Sequence, residues 1–236
     1  MRSLFKVFIL IFILGIIGAF LLSSEIFEIK NIYVTGNKTV AEDEIIKLSN
    51  IQYKQNIFKL NTRKIIKGMF NHPKIKAVKI KRVLPSSISL DIIEREGVAL
   101  IPYLGSYINI DEETVIIEVI TLDNELDLPV VSGITFRDFK LGEKLKTDKV
   151  DQLNYVMEVI KCLKSVKMTD IIETINVEDP SNIIITTSNN IRVYLGNDKL
   201  DYKIGLAKAI VDDLTKDNEM GIVDMRHEGN PIFKRD

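Results

Sequence analysis

The chain has 236 residues, 46 % of them hydrophobic, with 32 Lys and Arg against 33 Asp and Glu. Such a composition excludes a chain dominated by disorder, and the roughly 210 residues beyond an apolar N-terminus suffice for two small domains or one large one. The one cysteine, Cys162, excludes an internal disulfide, so any folded unit must stand on its apolar core.

From Leu4 to Leu22 the sequence reads LFKVFILIFILGIIGAFLL, with Lys6 as its only charge. A helix apolar on every face is not an aqueous core helix, and at ~1.5 Å per residue this one approaches the ~30 Å of bilayer hydrocarbon. The run exceeds the ~7–15 apolar residues of a cleavable signal, and its end lacks a small-x-small site. The sequence therefore predicts a cytoplasmic tail over 1–3 and a retained transmembrane signal anchor over 4–24. Arg2 and Lys6 at its front place the N-terminus in the cytoplasm and the rest outside, where nucleic acid is not an expected partner.

Beyond the anchor the charge is unevenly spread. From Glu25 to Glu96 there are 14 basic and 8 acidic residues, and from Gly97 to Asp236 there are 16 basic and 25 acidic. A basic segment beside anionic headgroups would be attracted to them. An ordinary solvated surface accounts for the same charge.

Phe27, Ile29, Ile32 and Val34 lead into the turn cluster Thr35-Gly36-Asn37-Lys38 and predict a first strand. Thr39 and Glu42 have the spacing of a capping box at the head of a short helix, with Val40, Ile45 and Leu48 for its buried side. Phe58 and Leu60 are apolar anchors of the next connection. Asn61 or Thr62 can cap a second helix, whose face is Ile65, Ile66, Met69 and Phe70, and Asn71-His72-Pro73 ends it. Val78 and Ile80, then Ile88, Leu90 and Ile92 after Pro85-Ser86, alternate with polar residues as a hairpin with one dry face. The order is β-α-α-β-β.

These residues carry a resemblance. Val34-Thr35-Gly36-Asn37, Asn56-Ile57-Phe58, His72-Pro73 with Ala77-Val78, Leu84-Pro85-Ser86 and Glu94-Arg95 resemble a POTRA domain. More closely, they are similar to that of the bacterial cell-division family FtsQ/DivIB. Gly97 departs from the pattern, since the family usually has Pro there. The resemblance implies a POTRA domain over 25–97 and a C-terminal β domain over 98–236.

In the distal segment, Tyr107–Ile110 and Val115–Ile117 flank Asp111-Glu112-Glu113-Thr114 and predict a hairpin, without the Gly that family members place in this turn. Leu128-Pro129-Val130-Val131-Ser132-Gly133 and then Leu141-Gly142 resemble the family's segments. Lys149–Lys164 reads as a helix whose inner side is Val150, Leu153, Val156, Met157, Ile160 and Leu163. Strands follow at Ile175–Val177, Ile183–Thr187 and Ile191–Leu195, then a helix over Leu200–Leu214. Two short strand-like runs close the sequence, Ile222–Arg226 and Pro231–Lys234, joined by His227-Glu228-Gly229-Asn230. The fold class expected is α+β: an N-terminal transmembrane helix, a β-α-α-β-β POTRA domain, and a mixed β-rich domain with two flanking helices.

A membrane-anchored, sortase-like cysteine transpeptidase is the alternative from another class, with Cys162, His72 and Arg192 as nominal members. Cys162 fits a helical apolar stripe, His72 precedes a helix-ending Pro, and His227 sits in a turn. No metal-ligand spacing, paired-carboxylate geometry or Gly-rich phosphate loop stands out, so no catalytic residue, cofactor or metal is expected.

The resemblance implies a non-enzymatic divisome scaffold, single-pass in the cell membrane at the division septum. It would bind FtsB/DivIC-type and FtsL-type bitopic division proteins and act indirectly on the septal peptidoglycan synthase complex. The expected partner-binding residues are Ile222, Val223, Asp224, Met225, Arg226, Pro231, Ile232, Phe233 and Lys234. The sequence ends two residues beyond Lys234, which makes the last strand an expected open edge for strand addition. Pro231 suits the first position of such a strand. Ile232 and Phe233 would face opposite sides, one toward the domain and one toward a partner.

Overall fold

The structure is a computed structural model that describes residues 2–22, 24–121, 127–227 and 229–235, with the side chains of 2–4, 19–22 and 150 outside the description. Two compact units divide the chain between Arg95 and Glu96.

The first unit begins with α1, Arg2–Leu22. Its described side chains, at 5–18, are apolar except Lys6 and almost all exposed. Position 23 of the expected span and the side chains at 4 and 19–22 lie outside the description, and among the described residues no helix is long and apolar enough to cross a membrane. A short 3-10 turn, Glu25–Phe27, leads to strand β1 (Asn31–Thr35), helix α2 (Glu42–Ser49), a second 3-10 turn (Ile57–Lys59) and helix α3 (Thr62–Met69). Strands β2 (Ile75–Val83) and β3 (Ser87–Glu94) complete the β-α-α-β-β order.

β3 lies in the middle of this three-stranded sheet, with β2 antiparallel on one side and β1 parallel on the other. Alternation in β3 sends Ile88, Leu90 and Ile92 inward, onto Ile45 of α2 and Ile65 and Met69 of α3. Complete burial of each such side chain contributes on the order of 2 kcal/mol. Asn61 caps α3, its side-chain oxygen accepting the Lys64 N–H at 3.1 Å. Phe70, expected on the buried face, is instead half exposed, because α3 ends at Met69 and the chain turns away at Asn71.

The expected capping box at α2 is not formed. The N-cap is Ala41, which supplies no side-chain bond. Thr39 turns its hydroxyl to the Glu94 carboxylate at 2.5 Å, and the same carboxylate accepts the backbone N–H groups of Lys38, Thr39 and Val40 at 2.7 to 3.1 Å. A residue 55 positions away satisfies the donors that a local Glu42 would have met in part. Burial pushes the Glu94 carboxyl up, but the Thr39 hydroxyl and the three N–H donors outweigh it and pull its pKa down to about 2.

The second unit is a nine-stranded mixed sheet with two helices. Its strands are β4 (Gly97–Tyr103), β5 (Ser106–Asp111), β6 (Ile116–Ile120), β7 (Val130–Ser132), β8 (Ile172–Asn176), β9 (Ile183–Thr187), β10 (Ile191–Gly196), β11 (Gly221–Asp224) and β12 (Ile232–Arg235). Helix α4 (Val150–Ser165) precedes β8, and helix α5 (Leu200–Lys216) connects β10 to β11. The spatial order is β12-β11-β10-β9-β8-β7-β4-β5-β6. The pairs β4–β7, β7–β8 and β10–β11 are parallel. The other neighbouring pairs are antiparallel.

The helical spacing read from the sequence places Leu153, Val156, Ile160 and Leu163 of α4 and Leu200, Ile204, Ala207 and Val211 of α5 in one core with the sheet. Val150, expected on the same face, has its side chain outside the description. The β5–β6 turn closes without glycine: the Asp111 carboxylate accepts the N–H groups of Glu113 and Val115, and Thr114 takes a left-handed φ of 65°. The Gly97 departure has a steric reason, since a Cβ there would lie 2.2 Å from the side-chain oxygen of buried Asn109.

Replacement Glu94→Gln should destabilise the first unit by about 2 kcal/mol, because the charge-assisted bonds to three N–H groups are weakened. The sign with pH follows from a folded pKa of about 2 against an ordinary 4.5. Above the ordinary value the contribution is complete; as pH falls toward about 2 the unfolded chain takes a proton that the folded one refuses, and the contribution is lost. Urea unfolding of both proteins should thus show a gap that is full at neutral pH and narrows in acid.

Candidate partner-docking edge

An open sheet has two edges, and the second unit treats them differently. Beside β6, the Ile116 N–H donates to Glu143 O at 3.0 Å and the Gly142 N–H donates to Ile116 O at 2.8 Å, so an irregular segment covers the start of that edge. Beyond β12, among the described residues, no strand follows. The antiparallel β11–β12 register pairs Ile222 with Lys234, Val223 with Phe233 and Asp224 with Ile232. Arg235 adds an ion pair to Glu219, just before β11.

Pairing assigns the faces. Val223 is fully buried and Phe233 packs against the core beside it. Ile232 faces the other way and is 56 % exposed. The residues expected to bind a partner therefore separate: Val223 and Met225 are buried and hold the strand, while Ile222, Asp224, Ile232 and Lys234 share the outer face. Glu228 of the connecting turn lies outside the described residues.

On that outer face the Asp224-x-Arg226 pair forms a clamp. Arg226 reaches Asp224 with two guanidinium bonds, 2.9 and 2.6 Å, and stacks 4.7 Å above the Tyr194 ring centroid. A third bond, 3.3 Å, goes to the side-chain oxygen of Asn182. The Arg226 hydrogen bond, against burial, holds the Asp224 carboxyl down at about 2. Next to the clamp a cavity of about 620 Å³ is lined by residues that include Asp198, Tyr202, Lys203, Arg226 and Pro231. Lys203 is nearly buried and donates to Leu195 O at 2.8 Å and to Asp198 at 2.6 Å. Tyr194 was legible in principle, as an outward phase of the Ile191-Val193-Leu195 alternation. Asn182, 44 positions from Arg226, left no local signal.

The residues weighed for thiol chemistry fall in different units. Cys162 is half buried in α4, where burial, then the nearby charges of Glu158 and Asp201, push its thiol up and away from the thiolate. His72 belongs to the other unit, where its Nε2 lies 3.5 Å from Glu44. Arg192 is a β10 residue opposite Ile222. A sortase-like reading has no support in this arrangement. Among the described residues no group of three or more His, Cys, Asp or Glu could hold a metal ion.

A β-α-α-β-β unit followed by a mixed sheet with β12 at one edge defines a class of protein. The family described as "POTRA domain, FtsQ-type" matches residues 27–95, and "Cell division protein FtsQ/DivIB, C-terminal" matches residues 99–226. The chain belongs to the FtsQ/DivIB family. It is 28 % identical over 217 residues to the cell division protein DivIB of Clostridium acetobutylicum, covering 88 % of this chain and 82 % of that one. With DivIB of Clostridium botulinum (strain Loch Maree) it shares 27 % over 229 residues, covering 96 % and 89 %. With FtsQ of Syntrophotalea carbinolica it shares 23 % over 208 residues, covering 88 % and 72 %. Among solved structures it is similar to the major extracytoplasmic domain of DivIB from Geobacillus stearothermophilus. That similarity has 15 % identity and a TM-score of 0.33, and covers 52 % of this chain and 96 % of that one.

Arg226→Ala should release the Asp224 carboxyl from about 2 toward its ordinary 3.8 while leaving the sheet folded. A carbon-detected NMR titration of Asp224 reads this directly. An unchanged midpoint would mean that the clamp does not set the carboxylate.

Proposed function

We propose that this chain is a non-enzymatic scaffold of the division machinery, held in the cell membrane by α1 and working at the septum. The family membership and the relatives' names as cell division proteins support the division role. The anchor reading rests on the apolar sequence of α1 beyond Lys6, with Arg2 and Lys6 at its front, which puts the N-terminus in the cytoplasm and both folded units outside.

The observation that carries the binding reading is the edge position of β12, beyond which no strand pairs among the described residues. Its free backbone groups can add a strand from an FtsB/DivIC-type partner, and exposed Ile232 offers that strand an apolar contact beside the polar clamp. FtsL-type proteins join the same assembly, which reaches the septal peptidoglycan synthase complex indirectly. Such a role needs a stable platform and an accessible edge, and no bond-making chemistry.

Because Phe233 packs on the core and Ile232 does not, the two separate binding from folding. Ile232→Asp should keep the circular dichroism and unfolding midpoint of the parent, yet weaken capture of the FtsB/DivIC partner on the order of tenfold or more and dim the midcell band of a fluorescent fusion. Phe233→Ala should instead cost about 1–3 kcal/mol of stability. Normal capture by a folded Ile232→Asp protein would show that this edge is not the docking site.

A further inference from the structure

The first unit carries a cavity that the docking edge does not use. It opens between α2 and α3, has a volume of about 930 Å³, and is lined by Lys54, Lys59, Lys64 and Lys67 with Tyr53 and Asn61 among the other residues. No Asp or Glu lines it. Among the described residues none of the four ammonium groups has an ion-pair or hydrogen-bond partner. The sequence around the cavity shares this bias: between Ile45 and Leu90 there are nine Lys, two Arg and no acidic residue. Four like charges converging on one concavity repel one another unless an anion joins them. The depression is open to solvent and its four lysines are exposed, so an anion can reach them from outside.

The structure also indicates where that anion comes from. The loop bearing Lys54 and Lys59 is clasped to the chain that leaves α1. Lys54 donates its backbone N–H to Ile29 O at 2.9 Å, Ile29 donates to Gln55 O at 3.0 Å, and Glu28 bridges to Asn56. The Phe58 ring, beside Lys59, lies 5.2 Å from that of Phe27. Only four residues separate the end of α1 at Leu22 from Phe27, five steps with a reach of at most ~18 Å even if fully extended. Tyr53 and Phe58 are both exposed, and aromatic residues beside lysines are the composition of a headgroup-level contact.

We infer that the α2–α3 cavity binds the phosphate groups of anionic lipid headgroups, so that the first unit lies against the outer leaflet instead of standing clear of it. The inference rests on the reading of α1 as a membrane anchor. Lys54, Lys59, Lys64 and Lys67 supply the charge, and Tyr53 and Phe58 enter the interfacial zone.

The test uses the full chain reconstituted in vesicles of phosphatidylcholine, alone or with phosphatidylglycerol, and reads lysine acetylation by mass spectrometry. In the anionic vesicles the four lysines should react about fivefold more slowly than in the neutral ones, while Lys161 and Lys164 of α4 are unchanged. High salt should abolish the difference. K59Q/K64Q, which alters exposed side chains only, should restore fast acetylation at Lys54 and Lys67. Alkaline carbonate extraction of the same vesicles reports the anchor separately. A carbonate-resistant chain whose four lysines react equally in both vesicles overturns the lipid site and leaves the anchor standing. A chain released by carbonate overturns the anchor and the site with it. Protection produced by soluble poly(glycerol phosphate) on neutral vesicles, but not by the anionic leaflet, makes the ligand a wall-type polymer and overturns the lipid assignment.

Discussion

A nine-stranded sheet that does not close into a barrel must end at two strands, each with a row of N–H and C=O groups that water or another chain has to satisfy. Here the end at β6 is partly dressed by the chain's own residues 142–145, and among the described residues no strand pairs beyond β12. The helices cover the core, so the outer face of β10, β11 and β12 carries a mixture of Arg192, Tyr194, Asp224 and Lys234 with the apolar Ile222 and Ile232. Arg226 fixes the shape of that face by binding Asp224 and stacking on Tyr194. An edge held rigid loses little entropy when a strand is added to it.

The first unit depends on a different kind of interaction, one carboxylate used as an anion at the mouth of a loop. Three consecutive N–H groups, Lys38 to Val40, point at Glu94 as they would at a bound phosphate. This ties the end of β3 to the start of α2, so the sheet and the helical layer are registered by a bond between residues far apart in sequence. It also explains why a Glu sits in the last position of a strand whose inward neighbours are all Ile and Leu.

Periodicity made most of the elements legible. The alternation of Ile191, Val193 and Leu195, and the 3-and-4 spacing in α4 and α5, place side chains where the core has them. β4 carries no strand signal in the sequence, because Val98-Ala99-Leu100-Ile101 is buried as an unbroken run and shows no period of two. The capping box failed for a long-range reason: the spacing of Thr39 and Glu42 was correct, but Glu94, unseen from local sequence, competes for the same donors. At the edge, the sequence indicated the strands and their turn but not the clamp, since Asn182 and Tyr194 reach Arg226 only through the sheet order. The lysine-lined cavity was visible only as a charge imbalance spread over the whole segment. Folding brought four of those charges to one place.

The parallel pairing of β1 with β3 bears on how tension passes through the first unit. β1 and β3 run side by side over five paired residues, from Asn31 opposite Ser87 to Thr35 opposite Asp91. The chain enters this pair at the Asn31 end and leaves it beyond Glu94, at the opposite end. A pull along the chain therefore loads the inter-strand bonds together, in shear, instead of opening them one at a time like a zipper. The clasp of residues 27–29 on the 54–58 loop removes slack ahead of β1, so force reaches the sheet directly. Load applied across β1 and β3 would therefore meet all five residue pairs at once.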